Sequence, residues 1–163
     1  MNGTISKSQQ SAIIVIGQFM PACKDHYSAI MEAAKYQKEF KIDNIFIGIV
    51  SSDSDILSAE DRKSILENSG NSNIASRCNY FTKSSKSEII SHLAENKIRV
   101  AAIIDLIKDH YIPEKAICKQ LSEGTLPIEA AKLGFFEEFL DITMLHKNLP
   151  LAKRIYAKIR GEK

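Results

Sequence analysis

The chain has no apolar run approaching the roughly 20 residues that a membrane span needs. Its N-terminus, MNGTISKSQQS, is polar and lacks the apolar core of a signal peptide. Cysteine is sparse: Cys23, Cys78 and Cys118 are odd in number and far apart. That excludes a disulfide framework and points to a reducing, cytoplasmic setting. Neither sign of charge is in excess. With 22 Lys and Arg against 20 Asp and Glu, the formal net charge is +2, too small to argue for nucleic acid as a partner. Internal repeats, low-complexity tracts and a G-x-S-x-G nucleophile elbow are missing as well.

What remains is an ordinary globular composition. Hydrophobic residues make up 44% and charged residues 26% of 163 residues, enough for one domain with a core that needs no staples. Residues 1–10 read as a polar tail and 11–163 as the domain.

Strand-like and helix-like segments alternate along it. Ala12–Ile16 and Asn44–Val50 (NIFIGIV) are continuous apolar runs, as expected of parallel strands covered on both faces. Val100–Ile104 is a third, with shorter candidates at Arg77–Thr82 and Ala116–Cys118. Between them, Tyr27, Ile30, Met31 and Ala34 recur at helical spacing. Ser58 and Asp61 have capping-box spacing and open a helix through Leu66. Ser69–Asn73 reads as a loop, and Ser85–Asn96 as an amphipathic helix with Ile89, Ile90 and Leu93 on one face. The remainder is helical, in pieces broken at Pro127, Gly134 and Pro150. This order predicts a three-layer α/β fold with a mostly parallel sheet and a helical C-terminus. Ligands of such sheets bind beyond the carboxyl ends of the strands, where strand order reverses. Gly17–His26 falls at such an end.

The segment Gly17-Gln18-Phe19-Met20-Pro21-Ala22-Cys23-Lys24-Asp25-His26 resembles the first signature of the nucleotidylyltransferase superfamily. The nearest pattern is that of the small cytidylyltransferase-like proteins of tailed phages, G-R-F-N-P-P-T-x-G-H, of which Gly17, Phe19, Pro21 and His26 are kept. Glu123–Ile128 takes the place of that family's S-G-T-x-M-R, keeping Gly124 and Thr125. Phe136 and Phe139 match the N-D-F-x-x-F signature that follows, and the closing LAKRIYAKIRGEK is similar to the family's C-terminal helix. The resemblance spans nearly the whole chain and implies a Rossmann-like nucleotidylyltransferase fold. It also implies roles. His26 would stabilise the transferring phosphate, and Gly17, Phe19, Lys24, His26, Gly124 and Thr125 would hold a nucleoside triphosphate with Mg2+.

Several positions that should carry that chemistry hold other residue types. Nucleotidyl transfer depends on positioning and on neutralising charge at the phosphates. Gln18 and Ile128 stand where the family has arginines, whose bidentate fork few side chains can copy. Asp25 replaces the glycine before the histidine and sets a carboxylate beside phosphate oxygens. At ~4 Å and an effective dielectric of about 20, each such contact costs roughly 4 kcal/mol. Pro127 removes an N–H from a helix start that would hold phosphate. In Asp105–Tyr111, where the family has a G-S-D-R-type segment, no glycine survives. Losing three charge-stabilising contacts slows chemistry by many orders of magnitude.

For His26 the plain structural reading, a cap on the first turn of a helix, carries equal weight. Lys24 and Lys35 read first as surface lysines, and Arg62 as a partner of Glu60 or Asp61 on a solvated face. Cys23 and His26 have the spacing of half a zinc site without a second half, so no metal is expected. Phe135, Phe136, Phe139, Leu140, Ile142 and Met144 read as a helix packed on the sheet. The basic C-terminal segment reads as a docked helix with a solvated charged face. The leading expectation is a non-catalytic relative without cofactor. It would act through protein contacts, with phage structural proteins or with itself, and the resemblance implies a virion or accessory component. An active nucleotidylyltransferase and a nucleotide-binding regulator stay open as alternatives.

Overall fold

The computed structural model describes residues 10–52, 54–69, 72–75, 77–107, 117–120 and 126–162. The elements are β1 (Ser11–Gly17), α1 (Lys24–Glu39), β2 (Asn44–Val50), α2 (Ala59–Asn68), α3 (Ser72–Ala75) and β3 (Asn79–Lys83). They continue with α4 (Lys86–Glu95), β4 (Arg99–Asp105), β5 (Ile117–Gln120), α5 (Leu126–Lys132), α6 (Phe136–Thr143) and α7 (Leu149–Arg160).

The five strands form one sheet in the order β3-β2-β1-β4-β5, and every neighbouring pair is parallel. β1 is central, and all its residues are buried. Chain direction in the sheet dictates the layers. The steps from β1 to β2 and from β2 to β3 move one way, while the step from β3 to β4 crosses back over β2 and β1. Right-handed crossovers then put α1 and α2 on one face and α4 on the other. The side chains follow: Ile13 and Val15 join the large core with α1, α2 and the C-terminal helices, and Ile14 and Ile16 join a smaller core with Ile89, Ile90 and Leu93 of α4. Gly48 of β2 serves this second face, because a Cβ there would stand 2.9 Å from the side chain of Ile89.

The three C-terminal helices extend the large core. Phe136, Phe139 and Tyr156 make edge contacts, with ring centroids 5.0 and 5.5 Å from Tyr156. Tyr27 of α1 donates from its hydroxyl to the Thr143 carbonyl at 2.5 Å, tying α1 to the end of α6. Arg154 and Lys158 of α7 grip the buried Asp61 of α2 at 2.7 and 2.5 Å. Burial pushes the Asp61 carboxyl up, but these two cations outweigh it and hold the group below the usual carboxylate range.

The structure differs from the sequence expectations in several places. The buried face of α1 is His26, Tyr27, Ala29, Ile30 and Ala33; Tyr27 and Ile30 fall where the helical spacing puts them, whereas Met31 is 41% exposed and Ala34 half-buried. Alanines win that face because they let the helix lie close on the sheet. Ser58 does cap α2, accepting from the Asp61 N–H at 3.1 Å, but the Asp61 carboxylate turns to α7 instead of closing a capping box. The stretch read as a loop, Ser69–Asn73, runs into the single turn α3, and the third strand begins at Asn79. Pro127 and Pro150 lie in the first turns of α5 and α7, where a missing N–H breaks no helical bond. The phenylalanine cluster divides: Phe139 is buried, and Phe135 is exposed. No helix among the described residues is long and apolar enough to cross a membrane. The tail residues 1–9 lie outside the described residues.

Candidate functional site

Strand order reverses between β1 and β4, so the ligand-binding position of the fold lies beyond their carboxyl ends. There the chain leaves β1 at Gly17 and turns through Gln18–Ala22 into α1. Phe19 in this turn is fully buried at φ 52°, in the left-handed region that bulky residues rarely occupy. Its ring packs against His26 at a tilt of 41°, with centroids 4.9 Å apart.

His26 is 1% exposed. Its Nδ1 accepts the Cys23 backbone N–H at 3.1 Å and stands 3.4 Å from Cys23 Sγ. That bond places the ring proton on Nε2. His26 thus reaches back over the first turn of α1 as a cap, with Phe19 covering one face of its ring. Burial pushes the Cys23 thiol up. The side-chain contact with His26, joined by the Asp25 and His26 amides at the helix start, more than reverses this and leaves it below the ordinary thiol value.

Two cations meet the strand ends, one from each face. Arg62 of α2 is fully buried rather than on a solvated face. Its Nε donates to Leu57 O at 3.1 Å, Nη1 to Gln18 O and Val50 O at 2.9 and 3.0 Å, and Nη2 to Ser51 Oγ and Asp55 Oδ2 at 2.6 and 2.9 Å. All five N–H groups of the fork are thereby engaged. Arg62 pins the turn after β1 to the end of β2 and to the loop before α2. Burial pushes the Asp55 carboxyl up, but the Ser52 amide and Arg62 bring it below its usual range. On the opposite face, Lys86 opens α4 and forms a buried ion pair with Asp105, the last residue of β4. Asp105 pairs in register with Ile16 and also accepts the Ile107 N–H at 2.9 Å.

The structure therefore brings Gly17, Phe19 and His26 together. Lys24 is exposed and lines a groove on the outer side of α1, with Lys35. Asp25 is exposed on the first helical turn, where the dipole favours a carboxylate. Pro127 is buried and Ile128 half-buried. Gly124 and Thr125 lie outside the described residues, as do residues 108–111 of the stretch matched to the G-S-D-R-type segment. Among the described residues no group of three or more His, Cys, Asp or Glu is placed to hold a metal. Cys78 is buried elsewhere, and burial pushes its thiol up to about 11.

The pairing of Lys86 with Asp105 is absent from the sequence reading. One local sign existed: a lysine in a helix's first turn opposes the macrodipole and needs a reason to be there. Asp105, closing an apolar strand, is that reason.

Parallel strands in this order with helices on both faces define a Rossmann-like three-layer α/β protein. Among solved structures, a macrolide-efflux protein from Streptococcus pneumoniae shares the fold, with a TM-score of 0.57 at 12% sequence identity. The likeness covers 86% of this chain but 57% of that one, so the present chain spans little more than half of its length. At that identity the likeness concerns the fold alone. No family model and no curated protein matches the sequence.

Proposed function

We propose that this protein is a non-catalytic relative of the nucleotidylyltransferases that works through protein contacts. The buried His26 carries the reading. A histidine that donates to a transferring phosphate has to meet solvent and substrate, whereas this one is 1% exposed, under Phe19 and bonded to the Cys23 amide. The surrounding charges support it. Arg62 directs its whole fork at protein acceptors, and Lys86 is held by Asp105. A triphosphate entering between β1 and β4 would have to break one of these sets. Magnesium fits the corner poorly for the same reason, since Asp55 and Asp105 each already face a cation. The association with phage particles rests on the sequence resemblance.

The test is incubation with each ribonucleoside triphosphate, magnesium and a panel of phosphorylated acceptors. No pyrophosphate above the protein-free rate is expected. Turnover that His26→Ala abolishes, with the fold intact, would overturn the proposal in favour of an active enzyme.

A further inference from the structure

Two hollows meet on the outer side of α1 and share Lys24 and Met144. The larger, about 690 Å³, runs along the helix. The smaller, about 410 Å³, is walled by Asp141, His146 and Lys147 around the end of α6. Both fall in the range of about 300–1,000 Å³ that small ligands occupy.

Their charges are unevenly spread. At the shared end, Lys24 and Lys147 are both exposed. Among the described residues, Asp141 is the one carboxylate lining the smaller hollow, and it already faces His146 Nε2 at 2.9 Å. Asp25 lines neither hollow. At the far end of the larger hollow, Glu32 and Glu39 outnumber Lys35. An anionic group is therefore drawn to the Lys24 end and repelled from the other.

A short apolar stretch begins beside Lys24. Lys24, Tyr27, Ser28 and Met31 recur at i, i+3, i+4 and i+7, so they form one stripe of α1. Met31, 41% exposed, and the half-buried Met144 offer thioether side chains to the larger hollow, and such chains adapt to irregular apolar partners. Tyr27, 2% exposed and bonded through its hydroxyl to the Thr143 carbonyl, backs the stripe. Glu32 and Lys35 end the apolar stretch beyond Met31. Lys24 and Met31 stand about 10 Å apart along the helix, the length of an extended chain of about eight carbons.

We propose that these hollows bind a medium-chain carboxylate, its head group between Lys24 and Lys147 and its chain along Met144 and Met31. A single negative charge suits the head, because a phosphate dianion would set its second charge against Asp141. This goes beyond the reading of the strand-end corner and stands whether or not that corner takes nucleotide. Neither hollow has a residue in common with the Arg62 and Lys86 clusters.

The four methionines, Met1, Met20, Met31 and Met144, supply the probe. In full-length protein isotope-labelled at the methionine methyls, titration with octanoate should move the Met31 and Met144 resonances saturably and leave Met20 in place. Met31→Leu and Met144→Leu assign the signals. Lys24→Glu and Lys147→Glu should each weaken octanoate binding by about tenfold. Both positions are exposed, so the circular dichroism spectrum should not change. Octanol, which lacks the charge, should bind at least about tenfold more weakly, and octyl phosphate no more tightly than octanoate. Absence of a saturable shift at millimolar octanoate would overturn the proposal. So would octanol binding as well as octanoate, tighter binding of octyl phosphate, or an affinity indifferent to either charge reversal.

Discussion

Arg62→Leu should destabilise the fold by about 3–5 kcal/mol, the range for removing one side of a buried, hydrogen-bonded charge pair. The loss has two parts. The carbonyls of Leu57, Gln18 and Val50 lose their guanidinium donor, and an orphaned buried acceptor costs about 1–3 kcal/mol. Asp55 also loses its cation, although its side chain is 24% exposed and water recovers part of that term. Leucine fills some of the volume but satisfies none of the acceptors. Arg62→Lys should fall most of the way toward leucine, since one ammonium cannot reach acceptors spread around a planar fork. Urea unfolding followed by circular dichroism reads both. A midpoint within error of the parent for Arg62→Leu would show that the buried fork is not what joins β1, β2 and α2.

The second large effect belongs to Lys86 and Asp105. Both are nearly inaccessible, at 2% and 1% exposure, so neither can take its charge to water when the other is removed. Lys86→Met should cost about 3–5 kcal/mol. Asp105→Leu alone should be comparably damaging, with the Ile107 amide losing its acceptor as well. Combined, Lys86→Met and Asp105→Leu should be far less destabilising than the sum of the singles, because no unpaired charge is left behind. Additive losses in that double-mutant cycle would mean that the two groups are not coupled. The pair sits where β4 ends beside β1, so its rupture also opens the second face of the strand-end corner.

The parts of the fold governed by local pattern were readable in the chain. β1 and β2 are unbroken apolar runs because both faces of a parallel sheet are covered, and α4 announces itself through Ile89, Ile90 and Leu93, which are buried together. What failed was whatever depends on distant backbone. On α1 Tyr27 and Ile30 are buried as their spacing implies, but Met31 is exposed and Ala33 takes the inner position, because close packing on the sheet prefers the smaller residue. Arg62 read as a surface residue because its sequence neighbours are Glu60 and Asp61. Its partners are carbonyls at the ends of β1 and β2, and carbonyls leave no mark in a sequence. At the candidate site Gly17, Phe19 and His26 are neighbours in the turn after β1, but nothing in their order shows that the histidine ring is turned inward. Residues 123–125 of the second signature lie outside the described residues.

The account depends on the strand-end corner being satisfied from within. Calorimetric titration of the full chain with nucleoside triphosphates and magnesium, carried to millimolar ligand, measures this most directly. It should give only the heat of dilution, with no rise in thermal stability. Saturable one-to-one binding that His26→Ala abolishes would contradict it.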